Sequence, residues 1–304
     1  MGLLPFLLIV TSTLLSVSWN TLAKKSRMTA AFYAVVCLTS NILWWHVFFW
    51  TPLPIREFPM RFWLLLLASS AFDFCYCFGM VGAYRRMDMS AAYPMMRALP
   101  ILLTAAGTAL FGVGRELSVV AVLGMFVAFA GCLTMPLKRF SDFSIRSYMN
   151  WGIFFLLLNA MGTSGYTIVD SVAQRELFET AAAAGVGKPV VSMTFNVLRG
   201  GVIAAAMTVY VLLRGEERRV WLGFFRDRNW MPVFAGLFSS STYVLLLIAT
   251  NYVDNVSYIQ IFRQLGMVFS LLAGVFILRE KCTLTKVAGV ALILSGMVMA
   301  VIPQ

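Results

Sequence analysis

Three arginines and two aspartates, Arg97, Arg199, Arg263, Asp73 and Asp170, fall inside long apolar runs. Charges in such surroundings are costly and ordinarily face a cavity or a partner. A guanidinium placed there can grip a carboxylate or phosphate through two parallel hydrogen bonds. Three arginines against two aspartates leave a net charge of +1, which favours a ligand carrying an anionic group. Arg97 and Arg263 form the sharpest pair. Each sits in the same local pattern, MSAAYPMMRALP (89–100) and NVSYIQIFRQLG (255–266). We expect both, with Arg199, to contact an anionic or zwitterionic ligand. Trp19, Asn20, Tyr76, Tyr93, Tyr166, Tyr243, Tyr258, Gln260 and Gln264 complete the expected pocket, since tyrosine and tryptophan pair an apolar face with a polar handle. A carboxylate stripped of water can bind and release a proton. Asp73, deep in LASSAFDFCYCFG, and Asp170, nearer a helix end, are the candidates for that task. The plainer reading of each charge is a structural ion pair, and of each aromatic a lipid-facing or packed ring.

The elements that must hold these residues are membrane helices. Sixty percent of the 304 residues are hydrophobic and 12% charged, and the mean hydropathy is +0.83. A soluble chain of this length could not hide so much apolar surface. Apolar stretches of about twenty residues match a hydrocarbon core of roughly 30 Å. Ten are read: 3–22, 30–50, 62–84, 90–112, 117–136, 151–172, 190–213, 231–251, 256–278 and 283–302. The first lacks a basic leader, with Lys24 and Lys25 after it, and is read as a retained helix instead of a signal. The expected fold is an all-α integral membrane protein. The odd-numbered loops hold fifteen Lys and Arg against five in the even ones. That bias places the odd loops in the cytoplasm and both termini outside, in the periplasm of a bacterial inner membrane. The formal charge of +11 is explained by those loops, and no nucleic-acid partner is expected.

The second half repeats the order of motifs in the first. Each arginine segment leads to an Arg-Glu hinge, Arg115-Glu116 and Arg279-Glu280. An apolar helix follows each hinge, with glycines seven apart, Gly124/Gly131 and Gly289/Gly296. Two helical turns place each pair on one face for close helix approach. Softer matches are Trp19-Asn20 with Tyr166-Thr167, Asn41 with Asn196, and Tyr76 with Tyr243. The boundary near 137–150 leaves five segments on either side, giving repeats over 1–137 and 148–304. An odd number per repeat forces opposite orientations, so ten transmembrane helices form two five-helix inverted-topology repeats. Pro94 and Pro100 flank Arg97 and should kink the fourth segment, whereas the ninth carries Gln260 and Gly266 instead.

Enzyme signatures are not found. His46 lies in an aromatic run, and no HExxH, GxSxG or carboxylate cluster with ligand spacing occurs. AAAAGVGKP (181–189) lacks the upstream glycine and following Ser/Thr of a phosphate loop. Cys37, Cys75, Cys77, Cys132 and Cys282 are read as packing residues, so no metal, cofactor or disulfide is expected. Trp44, Trp45, Trp50 and Trp63 read as membrane-interface anchors.

Several stretches carry a family resemblance: SWNTLAKKS (18–26), AYRRMDMSAAYPMMRALP (83–100), the hinge and glycine helix at 115–136, GYTIVD (165–170), FNVLRG (195–200) and 262–303. The chain resembles the ten-helix EamA-type branch of the drug/metabolite transporter superfamily. The resemblance implies a secondary transporter, often an exporter, of a small polar organic metabolite. It would work by alternating access around a central site between the repeats, with protons as possible co-substrate, as a monomer or homodimer in the bilayer. It places Arg97, Arg199 and Arg263 near the central cavity. Trp44 stands near where such repeats often carry arginine. The alternative from another class is an integral-membrane enzyme or flippase acting on a lipid-linked substrate.

Overall fold

The computed structural model describes all residues except 1, 26–28, 51–54, 88, 136, 138, 143–150, 183–184, 277–281 and 302–304. The side chains of 20, 21, 23–25, 50, 89–91, 273, 274 and 276 also lie outside the described set, which therefore excludes the Arg279-Glu280 hinge. The described residues form helices and connecting turns, with no strand among them. The helices are α1 (Leu3–Lys25), α2 (Ala30–Trp44), α3 (Val47–Trp50), α4 (Met60–Tyr84), α5 (Met89–Phe111) and α6 (Val119–Thr134). They continue with α7 (Trp151–Ala182), α8 (Lys188–Leu213), α9 (Gly215–Arg226), α10 (Met231–Thr250), α11 (Ser257–Phe262), α12 (Leu265–Phe276) and α13 (Leu284–Val301).

Local chemistry sets several helix starts. The Thr29 hydroxyl accepts the Phe32 N–H at 3.1 Å, and the Ser118 hydroxyl accepts the Ala121 N–H at 3.1 Å. Each satisfies an amide that the first turn leaves without a helical partner. Pro189 stands in the first turn of α8, where its missing N–H costs nothing. Among the described residues, seven helices are long and apolar enough to cross a membrane. α1 and α6 contain shorter apolar stretches, Leu3–Trp19 and Val119–Thr134.

Three departures from the sequence reading have physical causes. α7 runs ten residues past the expected 172, because AQRELFETAA consists of good helix formers. Its extension buries Gln174, Leu177 and Ala181. The loop at 214–229 contains α9, an amphipathic helix that a span search passes over. The ninth segment is divided into α11 and α12. There Gln264, Gly266 and Met267 donate to carbonyls three residues back, at 3.1, 3.1 and 2.9 Å. This tightened turn sits on Arg263 and Gln264, and such turns inside helices often mark functional hinges. α5 is helical through Pro94 and Pro100.

The chain divides into two compact units. The first comprises Phe72–Ile168 and Val253–Gln304. Within it α6 and α13 meet glycine to glycine. A Cβ on Gly124 would stand 2.6 Å from the Gly296 oxygen, and one on Gly131 2.7 Å from the Gly289 oxygen. The expected packing role of both pairs is thus seen directly. α4 and α7 pack equally closely: a Cβ on Gly79 would lie 2.4 Å from the Asn159 nitrogen, and one on Gly162 2.5 Å from the Tyr76 nitrogen. Apolar lipid supplies little hydrophobic drive between helices, so such close backbone contact and interhelical hydrogen bonds hold the unit. The Arg115 hinge is pinned at both ends. Its N–H donates to the Asp254 oxygen at 3.0 Å, and its oxygen accepts the Asn255 amide at 2.9 Å.

The second unit comprises Gly2–Ala71 and Val169–Tyr252. α1 and α10 exchange hydrogen bonds: Ser12 Oγ donates to the Thr242 oxygen at 2.9 Å and Thr242 Oγ1 to the Ser12 oxygen at 3.3 Å. Asn41 of α2 donates to the Val197 oxygen of α8 at 2.7 Å. Phe58, Phe62, Leu66, Leu177, Phe195 and Leu247 belong to one apolar core cluster.

Candidate functional site

Two polar clusters gather most of the candidate residues, one in each unit. In the first unit Arg97 rises from the middle of α5. Its guanidinium lies 5.5 Å from the Tyr93 ring centre, one helical turn away. It also hydrogen-bonds Tyr93 and stands within electrostatic range of Tyr76 and Tyr84. Tyr76 in turn meets Tyr166 edge to face at 5.9 Å. Arg97 is therefore set among phenols, each with an apolar face and a hydroxyl.

Amides from the far end of the sequence close this cluster. The Gln264 amide donates to the Arg97 main-chain oxygen at 3.1 Å and to the Gln260 oxygen at 2.9 Å. The Gln260 amide donates to Thr167 Oγ1 at 2.8 Å. Pro100 lacks the N–H that would reach the Met96 oxygen four residues back, and side-chain donors reach the nearby carbonyls of Arg97 and Pro100. Ser164 Oγ donates to the Pro100 oxygen at 3.4 Å, next to the Gln264 bond. Both glutamines are buried.

Asp73 is buried in the same unit, with Cys77 Sγ donating to it at 3.8 Å and Tyr76 within its electrostatic reach. Arg263 is half-buried at the α11–α12 turn. Tyr258 lies on α11, its N–H donating to the Asn255 oxygen at 3.2 Å.

In the second unit Asp170 is the centre of a polar knot. Its carboxylate accepts from the Ser69 and Tyr243 hydroxyls. Arg199 Nε lies 3.6 Å from it and donates to Ser69 Oγ at 2.6 Å. The guanidinium also lies 4.7 Å from the Tyr243 ring centre. Ser69, Asp170, Arg199 and Tyr243 come from α4, α7, α8 and α10, so one ion pair ties four helices together. Asp170 is 2% and Arg199 4% exposed, which makes their pairing compulsory.

The remaining candidates fall elsewhere. Trp19 is buried against Phe32, Val36 and Ala235, an apolar setting. The Asn20 side chain lies outside the described residues. Trp44 donates to Ser240 Oγ of α10 at 2.6 Å, and Trp63 packs partly buried against the Phe62–Leu177–Phe195 core. Ser69, Tyr84 and Thr167 join the clusters without having been read as site residues. Ser69-Ser70, polar in an apolar run just before Asp73, was the signal for the first. Tyr84 adjoins Arg85-Arg86 in sequence and carries no pattern that ties it to Arg97; the fold brings the two within electrostatic range.

A family profile described as "EamA-like transporter family" matches residues 150–302. No curated protein matches the sequence. A crystal structure is similar over 98% of this chain and 96% of its own, with a TM-score of 0.68 and 17% identity, a likeness of fold. The matched profile spans half of the chain and its helices have membrane-crossing length, so this is an integral membrane protein that belongs to the EamA-like transporter family.

Proposed function

We propose that the protein is a secondary active transporter or exporter of a small polar organic metabolite carrying an anionic or zwitterionic group. The observation that carries this reading is the setting of Arg97 among Tyr76, Tyr84 and Tyr93 within one unit. Arg199 is paired with Asp170, and Arg97 has Tyr93 hydrogen-bonded to it with Tyr76 and Tyr84 within electrostatic range, phenols able to join it in holding a carboxylate or phosphate. Arg97 and its tyrosines come from the first half of the sequence, and Tyr166, Gln260 and Gln264 from the second. The substrate site on this reading lies between the two sequence repeats, with Arg263 at its hinge.

Ten spans in two inverted repeats fit the pattern of helix contacts. Gly124 faces Gly296 and Gly131 faces Gly289, an antiparallel match between corresponding helices of the two halves. The pairs α4 with α7 and α1 with α10 exchange under the same repeat. Alternating access then rests on the α11–α12 turn as a moving part. Asp73 is the assigned proton carrier, because it acts on Tyr76 and Tyr76 acts on Arg97; Asp170 is assigned to the structural knot. The protein works as a monomer or homodimer in a bacterial inner membrane, with the basic loops cytoplasmic and the termini periplasmic.

The test is a thermal-stability screen of the purified protein against a metabolite library, repeated with Arg97→Gln. A ligand of the folded state raises the melting temperature by mass action. Anionic or zwitterionic hits whose effect disappears in Arg97→Gln support the reading. Hits confined to cations, or undiminished in the variant, sink it. For the coupling role, Asp73→Asn should abolish transport driven by a proton gradient while leaving ligand binding; unimpaired proton-driven transport would remove Asp73 from the mechanism.

A further inference from the structure

Helix α9 belongs to neither polar cluster. A single residue, Arg214, separates it from α8, a membrane-length helix ending at Leu213. α9 is therefore held at the boundary of the bilayer. One face is occupied by its own unit. Glu217 accepts the Ala31 N–H at 2.9 Å, and Phe224 meets Phe32 edge to face at 6.2 Å. These residues are seven apart, two turns along one side.

The adjoining face carries Arg218, Trp221, Leu222 and Phe225, spaced i, i+3, i+4, i+7 as a continuous stripe. Leu222 is 52% and Phe225 53% exposed, with Trp221 packed edge-on against Phe225 at 5.4 Å. Arg226 is exposed beside the stripe and shared with Asp227 at 3.0 Å. Arg228 ends the helix with φ 50, a backbone conformation that glycine adopts freely and arginine does not. A guanidinium is thus kept where the backbone disfavours any side chain. Exposed apolar side chains interleaved with arginines match a helix lying in the headgroup layer. Exposed Leu222 and Phe225 dip toward the acyl chains, half-buried Trp221 backs Phe225, and the guanidinium groups reach the phosphates.

We propose that the Arg218–Phe225 face of α9, with Arg228, binds anionic phospholipid headgroups of the leaflet it borders. This inference needs the protein to be membrane-embedded and is independent of the transported substrate.

The test compares melting temperatures of the full chain in neutral detergent on addition of phosphatidylglycerol or phosphatidylcholine at equal mole fraction. Phosphatidylglycerol should stabilise more. The double variant Arg218→Gln/Arg228→Gln should lose at least half of that excess, while Arg56→Gln/Arg175→Gln, with the same charge removed elsewhere, should keep it. Three results overturn the proposal: equal stabilisation by both lipids, a full excess retained in Arg218→Gln/Arg228→Gln, or equal loss in both double variants. A face built for a protein partner gives the first of these. If the first double variant does not fold, Arg218→Gln alone carries the same comparison, with a reduced excess expected and an undiminished one overturning the idea.

Discussion

The side-chain amide of Gln264 donates to the main-chain oxygen of Arg97 at 3.1 Å. The bond joins residues 167 positions apart. It also ties the turn that carries Arg263 to the helix that carries Arg97. The two arginines singled out by their matching patterns are thus connected through the backbone of one and the neighbour of the other. The α11–α12 turn is thereby hydrogen-bonded to α5 at the arginine's own carbonyl.

Replacing Gln264 with leucine removes the donor to both Arg97 and Gln260 at a buried position. Leaving buried carbonyls short of a partner costs about 1–3 kcal/mol. The midpoint of thermal unfolding in detergent should fall accordingly, and an unchanged midpoint would show that water or a neighbour replaces the amide.

The Asp170–Arg199 pair should behave as a coupled unit. Asp170→Leu or Arg199→Met alone strands a buried charge and should destabilise by about 3–5 kcal/mol. The double variant should recover most of that loss. A double-mutant cycle read by thermal unfolding checks it, and additive losses would mean the two side chains act independently.

The glycine contact between α6 and α13 leaves no room for a methyl group. At Gly124 and Gly296 the obstacle is backbone at 2.6 and 2.4 Å, which cannot swing aside. Gly124→Ala should cost about 1–3 kcal/mol by forcing the helices apart. Gly215→Ala, with nothing within 4 Å, should be neutral or slightly stabilising. Equal melting temperatures for the two variants would refute the close contact.

Arg228 offers the opposite sign. Its φ of 50 suits glycine, so Arg228→Gly should stabilise the protein by about 1 kcal/mol in neutral detergent. A lowered melting temperature there would mean that the guanidinium makes protein contacts outweighing the strain.

Membrane embedding, helical class and the EamA-type resemblance were legible in the sequence, because apolar length and motif order are one-dimensional properties. The glycine pairs were legible too, since a seven-residue spacing defines a helix face before any partner is known. Which charges share a cluster was not. Arg97, Arg199 and Arg263 look alike in composition, yet Arg199 meets Asp170 while Arg97 meets tyrosines. That choice is made by which helices pack side by side, and local pattern carries no record of it. Trp19 illustrates the same limit, matching the repeat by position yet packed in an apolar cluster. α9 escaped because its apolar and charged residues are interspersed, leaving no long apolar run. The break at Arg263 escaped because the segment has no proline and its single glycine, Gly266, is tolerated inside many helices, so the three-residue hydrogen bonding was visible only in the fold.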